Sequence, residues 1–297
     1  GDISDANGCV GPISTSGSRT ISGPSKSMSI YIIAEIGINH NGSVETARQL
    51  IEAAKEAGCD AVKFQKRTIE AVYTEEELAK PRESVFGSTN GDLKRGLEFG
   101  SEQFDAINAY CQSLGLTWSA SCWDRDSVEF IRSYSPPWLK IPSALLTNLP
   151  LLDAYRATGI PLLVSTGMST AEEVATAMAR VGPQATPLAC TSTYPCPNRE
   201  ANLRYITTLI RQYGRAGFSS HCVSPWNAVR AAALGACVIE AHLTLDRARW
   251  GSDQSSSLEP KAFAKMVEEI RTGEEAMGTG EKVIFPSEVP IKAKLRR

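Results

Sequence analysis

The chain has 297 residues, of which 42% are hydrophobic and 22% charged, a globular composition that excludes bulk disorder. Its 31 basic and 33 acidic residues leave a formal charge of -2, so no basic excess points to nucleic acid or to an anionic membrane surface. No apolar run approaches the roughly 18–20 residues that span a bilayer, and no basic n-region with an apolar h-region opens the chain, so a cytoplasmic protein without membrane or nucleic-acid partners is expected.

Residues 1–27 are rich in Gly, Ser and Thr and carry no apolar period. They read as a flexible leader or an added extension before a single catalytic domain at 28–297, with Met28 the expected native start. From there short apolar runs fall at 31–37, 61–65, 116–122, 138–143, 161–167, 187–192, 217–221 and 237–244. Helical patterns separate them. In the first, Ala47, Leu50, Ile51 and Ala54 share one face; in the last, Phe263, Met266, Val267 and Ile270 do so behind a first-turn Pro260. Continuous strands with crossover helices imply a parallel sheet buried on both faces, and eight such units in about 250 residues favour an α/β TIM (β/α)8 barrel over an open doubly wound sheet. One connection, 65–101, is longer than barrel loops usually are, and is expected to act as a lid or substrate loop.

The eight cysteines (Cys9, Cys59, Cys111, Cys122, Cys190, Cys196, Cys222 and Cys237) contain no CxxC pair and several lie in apolar runs. Reduced, mostly buried thiols are expected rather than a disulfide framework or a zinc site.

A barrel places its chemistry at the carboxyl ends of its strands. Those ends carry Glu35 with Asn39-His40-Asn41, Lys63 and Gln65, Ser121, Lys140 and Ser143, Ser165-Thr166, Thr191-Ser192 with Tyr194, Ser219 and His221, and Glu240 and His242. Alternation along a strand sends Lys63 with Gln65, Ser219 with His221, and Glu240 with His242 to one face, and lysine and glutamate are too costly to bury unpaired against the helices. His221 and His242 end consecutive strands about 5 Å apart, which suits one divalent metal completed by Glu35 or Asp253 and water. Lys63 and Lys140 ringed by serines describe a pocket for a small phosphate or carboxylate anion. An imine-forming lysine is the chemical rival.

The chain resembles the sialic acid synthase family, enzymes that condense phosphoenolpyruvate with an aldose. The runs that carry the likeness are Ile33-Ala34-Glu35-Ile36-Gly37 with Asn39-His40-Asn41-Gly42, Lys63-Phe64-Gln65-Lys66, and Ser165-Thr166-Gly167-Met168. They continue in Cys190-Thr191-Ser192 with Tyr194-Pro195, Glu240 through His242, and Trp250-Gly251-Ser252-Asp253 leading to Ser257-Leu258-Glu259-Pro260. The resemblance implies phosphoenolpyruvate on Lys63, Ser121, Lys140, Ser143, Ser192 and Ser219. It implies a divalent metal on His221 and His242, Mn2+ first and Mg2+ or Co2+ next. It places Gln65, Tyr194, Glu240 and Asp253 around the sugar, gives catalytic roles to Glu35, His221, His242 and Asp253, and implies a homodimer.

The acceptor left open is N-acetylmannosamine, mannose, their 6-phosphates or a related sugar. The sequence departs from the family at Ala144-Leu145-Leu146, where a glycine and an acidic residue are usual, at Ser220 in place of an aspartate, and at Cys222-Val223-Ser224. The family's C-terminal antifreeze-like domain is not expected in a chain ending at Arg297. The rival functions are a Schiff-base barrel aldolase or lyase using Lys63 or Lys140, and a barrel that binds without catalysis.

Overall fold

A computed structural model describes residues 29–296; the expected leader at 1–27, Met28 and Cys9 lie outside the described residues. The strands are β1 (Tyr31–Gly37), β2 (Ala61–Lys66), β3 (Pro81–Ser84), β4 (Gly87–Thr89), β5 (Thr117–Cys122), β6 (Leu139–Ile141), β7 (Leu162–Ser165), β8 (Ala185–Cys190), β9 (Gly217–Ser220) and β10 (Val238–His242). Eight of them close into a parallel barrel in the order β1-β10-β9-β8-β7-β6-β5-β2. The expected (β/α)8 barrel is the fold of this chain.

The helices form where the apolar stripes lie. The helix Val44–Glu56 is capped by Ser43, whose side chain accepts from the Thr46 N–H, and buries Ala47, Leu50, Ile51 and Ala54. The helix Pro260–Met277 buries Phe263, Met266, Val267 and Ile270. Among the described residues, no helix is long and apolar enough to cross a membrane.

Inside the barrel, Tyr31, Ile33, Ala61, Trp138, Leu163, Leu188 and Val238 pack into an apolar floor. Two residues further along each strand the side chain again points inward. That step leads from Ile33 to Glu35, from Ala61 to Lys63, from Trp138 to Lys140, from Leu163 to Ser165 and from Val238 to Glu240. The polar layer therefore rests directly on the apolar one, and the barrel's own pleat sets its height.

The structure refines two expectations. The sixth barrel strand, read as 187–192, runs from Ala185 to Cys190; Pro187 pairs with Val164 inside it rather than opening it. The 65–101 connection, expected to act as a lid or substrate loop, carries secondary structure of its own. It folds into the helices Ile69–Val72, Glu75–Ala79 and Asn90–Leu97 and the β3–β4 hairpin, with capping boxes at Thr74/Glu77 and Thr89/Asp92. Phe86 at the hairpin lies so close over Gly96 that a Cβ there would meet its ring at 2.2 Å. Its ring centroid is 6.3 Å from that of Trp250, and Glu98 ties the segment back to Lys66 at 2.7 Å. Thus the insertion packs beside the barrel mouth; apart from Gln65 at its start, the side chains lining the cavity come from other segments.

Candidate active site

The mouth is an open cavity of about 190 Å³. At its base four charges interlock. Lys63 Nζ lies 2.8 Å from Glu35 Oε2 and 3.7 Å from Glu240 Oε2, and Lys140 Nζ lies 2.8 Å from Glu240 Oε1. Ser121 accepts from Lys63 at 2.6 Å, and Ser219 donates to Glu240 at 2.8 Å. All four charged residues are at most 3% exposed, so each ion depends on its partners for solvation.

The two carboxyls are driven apart. Burial alone would raise the Glu240 carboxyl, but Lys140 and Lys63 overcome it and hold that group well below the usual range. Burial raises the Glu35 carboxyl, with Glu240 adding to the effect and Lys63 only partly offsetting it. Glu240 is thus the fixed anion, and Glu35 the carboxyl suited to exchange a proton. For Lys63 burial works downward, yet the attraction of Glu240 and Glu35 raises it overall.

Above the lysines, small side chains form a cradle. Gly167 donates its N–H to Ser143 Oγ at 3.0 Å, and a Cβ at Gly167 would meet Ser192 Oγ at 2.2 Å and Ser143 Oγ at 2.8 Å. Glycine is therefore required by contact. Ser165 Oγ is buried without a hydrogen-bond partner and lines the same cavity. Trp123, Pro142, Ala144 and Met168 complete the rim. Ser165 was expected at its strand end, whereas Trp123 and Pro142 escaped sequence reading and Ala144 and Met168 stood in quoted runs without a role; an apolar residue just past a strand carries no local mark of function.

His221 and His242 reach the cavity from adjacent strand ends, their ring centroids 5.4 Å apart. Thr191 offers its carbonyl to His221 Nδ1 at 2.8 Å, so in the neutral ring Nδ1 carries the hydrogen and the Nε2 lone pair faces the Tyr194 hydroxyl, also at 2.8 Å. Burial pulls His242 down to about 4, which leaves a neutral ring. Its Nδ1 is buried with no hydrogen-bond partner and lies 3.9 Å from Asp253 Oδ2. Two imidazole nitrogens and a nearby carboxylate are a donor set suited to a borderline divalent ion. Among the described residues no three His, Cys, Asp or Glu side chains already converge on one point, so other ligands would come from water or substrate.

Gln65 donates its amide N–H to Glu35 Oε1 at 2.9 Å and accepts from Arg67 Nη2 at 2.5 Å. The Arg67 guanidinium in turn lies 4.1 Å from the Trp123 ring centroid. Glu240, grouped with the sugar by resemblance, lines the cavity and contacts both lysines. Asp253 lies beside His242, its Oδ2 3.9 Å from Nδ1.

His40 lies apart from the cavity. Its ring stacks on Phe99 at 3.9 Å, and Nδ1 accepts from the Gly42 N–H at 3.1 Å. Burial pushes its pKa from 6.5 down to about 3, against the opposing pull of a hydrogen bond to the Gly37 backbone. The folded ring stays neutral while the unfolded one protonates. Stability from this group is therefore complete above pH 6.5 and lost progressively as pH falls toward 3. Between pH 7 and pH 5 the loss from this residue is expected to be about 2 kcal/mol. Urea unfolding at both pH values should show a smaller pH difference in His40→Gln than in the parent; an equal difference would refute the assignment.

With this geometry in view, similarity to known proteins becomes specific. Residues 50–282 match the NeuB family. The chain belongs to the NeuB family. It is an enzyme of the synthase type that forms a carbon–carbon bond. It is 37% identical over 272 residues to the N-acetylneuraminate-9-phosphate synthase of Mus musculus, a match covering 89% of this chain and 76% of that protein. It is 35% identical over 283 residues to the N,N'-diacetyllegionaminic acid synthase of Legionella pneumophila, covering 91% and 80%. The crystal structure of an N-acetylneuraminic acid (sialic acid) synthetase from Leptospira borgpetersenii in complex with citrate superposes with a TM-score of 0.80 at 29% identity, covering 91% of this chain and 94% of that one.

Proposed function

We propose that this NeuB-family member condenses phosphoenolpyruvate with an aldose, giving a 3-deoxy-2-ulosonic, sialic-acid-like acid and inorganic phosphate. The observation that carries the reading is the buried Lys63–Glu35–Lys140–Glu240 cluster beneath a serine cradle and two imidazoles. The lysines and Ser121, Ser143, Ser192 and Ser219 hold the phosphate and carboxylate of the enol ester, while its C3 faces the acceptor carbonyl near the histidines. Attack by C3 leaves positive character at C2, which the adjacent carboxylates stabilise. Water adds at C2, Glu35 accepts its proton, and the tetrahedral adduct expels phosphate. Trp123, Pro142, Ala144 and Met168 offer an apolar rim that suits an N-acyl substituent on the sugar.

His221 and His242, with Asp253 close by, would hold a divalent ion such as Mn2+, which supplies Lewis acidity toward the aldehyde. The orphaned His242 Nδ1 supports that assignment.

The imine-forming rival is disfavoured by charge: each lysine is paired with a carboxylate at 2.8 Å, which stabilises the ammonium rather than the nucleophilic amine. Borohydride treatment with pyruvate is expected to leave no stable adduct on Lys63 or Lys140 by mass spectrometry. The deciding assay is phosphate release from phosphoenolpyruvate with Mn2+ and a panel of free and phosphorylated aldoses, with product masses recorded. Phosphoenolpyruvate binding without phosphate release across the panel would instead make the barrel a binding protein.

Arg67 is a positioning residue in this scheme, because it fixes the Gln65 amide that holds Glu35. Arg67→Met is expected to lower kcat about tenfold, as small displacements around reacting groups do, with KM for phosphoenolpyruvate nearly unchanged. Arg67→Lys should restore little, since a point charge neither stacks on Trp123 nor forks to the amide. A KM rise at constant kcat would place Arg67 in substrate binding instead.

A further inference from the structure

Two thiols that play no part in this chemistry sit behind it. Cys196 follows Tyr194 by two residues and Cys222 follows His221 by one. They are 5% and 4% exposed and form, with Ala201, a small cluster separate from the main core. The two side chains belong to one packed cluster, the Cys196 thiol donates to the Pro197 carbonyl at 3.5 Å, and the Cys196 N–H donates to the His221 carbonyl at 2.9 Å. A disulfide requires Cα atoms about 4.4–6.8 Å apart, and the backbone bond to the residue just before Cys222 holds the two segments side by side. The remaining described cysteines are likewise free thiols, but this pair joins the two loops that meet in the Tyr194–His221 contact at 2.8 Å.

We propose that Cys196 and Cys222 form a two-thiol oxidation site that closes to a disulfide on reaction with a low-molecular-weight disulfide, and that closure switches the neighbouring active site off. One cysteine sulfur attacks the small disulfide, breaking its S–S bond and releasing one small thiol as a mixed disulfide forms. The second cysteine then attacks the protein sulfur of that mixed disulfide and expels the other small thiol. The two cysteine hydrogens leave on the released thiols, so the cysteines are oxidised and the small disulfide is reduced. The bond holds the two sulfurs about 2.05 Å apart, closer than packed but unbonded thiols can stand, which draws the Tyr194 loop toward the His221 strand end. Displacements of about 1 Å at a reacting site cost up to a hundredfold, so turnover falls.

The test incubates the whole chain with oxidised glutathione. Peptide mapping without reductant should find a Cys196–Cys222 bridge two hydrogens lighter than the paired thiols, reversed by dithiothreitol. Phosphate release should fall at least about tenfold in step with bridge formation, whereas Cys196→Ser and Cys222→Ser should start at parental activity and keep it under oxidation. Absence of the bridge, or a bridge to any other cysteine in its place, overturns the site, and a complete bridge with unchanged turnover overturns the switch. The activity arm rests on the function proposed above, but the mass readout does not. Reduced protein that releases no phosphate with any aldose would refute that function and the switch while leaving the bridge to be decided by mass.

Discussion

Glu240→Leu is expected to lose about 3–5 kcal/mol of stability together with nearly all turnover. The carboxylate is the sole acid within 4.0 Å of Lys140 among the described ion pairs and a second anion for Lys63. Its removal strands a buried ammonium at the barrel floor, where water cannot replace the lost partner. Glu240→Gln should cost less, because an amide oxygen can still accept from Lys140 and Ser219. The informative comparison is the double variant Lys140→Met/Glu240→Leu. With both charges replaced by apolar groups of similar length, most of the lost stability should return while turnover stays absent. Chemical denaturation of the three variants beside the parent measures the first effect, and phosphate release the second. If the double variant were no more stable than Glu240→Leu, the Lys140–Glu240 pair would not be the source of the penalty.

That pair also shows what the sequence could and could not reveal. Alternation along single strands was enough to predict that Lys63, Lys140 and Glu240 point into the barrel, because the apolar residue two positions earlier anchors each of them in the floor. Which of them touch was hidden. Lys140 on β6 and Glu240 on β10 are separated by β7, β8 and β9 around the wall, and they meet across the lumen, a distance that no local pattern encodes. Resemblance grouped Glu240 with the sugar and gave no sign of its contacts with both lysines. The internal structure of the 65–101 connection was hidden for a related reason. Its helices have four, five and eight residues, too short for an apolar period to declare itself, and their stability comes from capping boxes and from Phe86 closing over Gly96. Arg67 and Trp123 gave no signal at all: a stacked guanidinium is a property of two loops brought together by closure of the barrel.

The histidine pair was legible because two of only three histidines end consecutive strands, and it supports the other large expected effect. His221→Ala and His242→Ala should each reduce turnover roughly 10²–10³-fold, the scale on which loss of a group stabilising developing charge is felt. Phosphoenolpyruvate binding should change less than about threefold, since its lysine and serine contacts lie deeper on other side chains. The split follows from the layering: the ammonium groups occupy the first polar layer above the floor, and the imidazoles stand one inward step higher, toward the acceptor. Calorimetric titration with phosphoenolpyruvate and single-turnover phosphate release separate the two effects. Mn2+ binding, followed by the loss of the free-ion paramagnetic signal, gives a readout independent of turnover, and both variants should weaken it. His242 is the sharper case, because its Nδ1 has no hydrogen-bond partner in the folded chain, so removal of the ring deletes a donor without breaking a structural bond. His221→Ala also releases the Thr191 carbonyl and the Tyr194 hydroxyl, and should cost additional stability of about 1–3 kcal/mol from the unpaired groups. Wild-type turnover in both variants after removal of divalent metal would sink the metal assignment, and unchanged Mn2+ affinity would move the ion to other ligands.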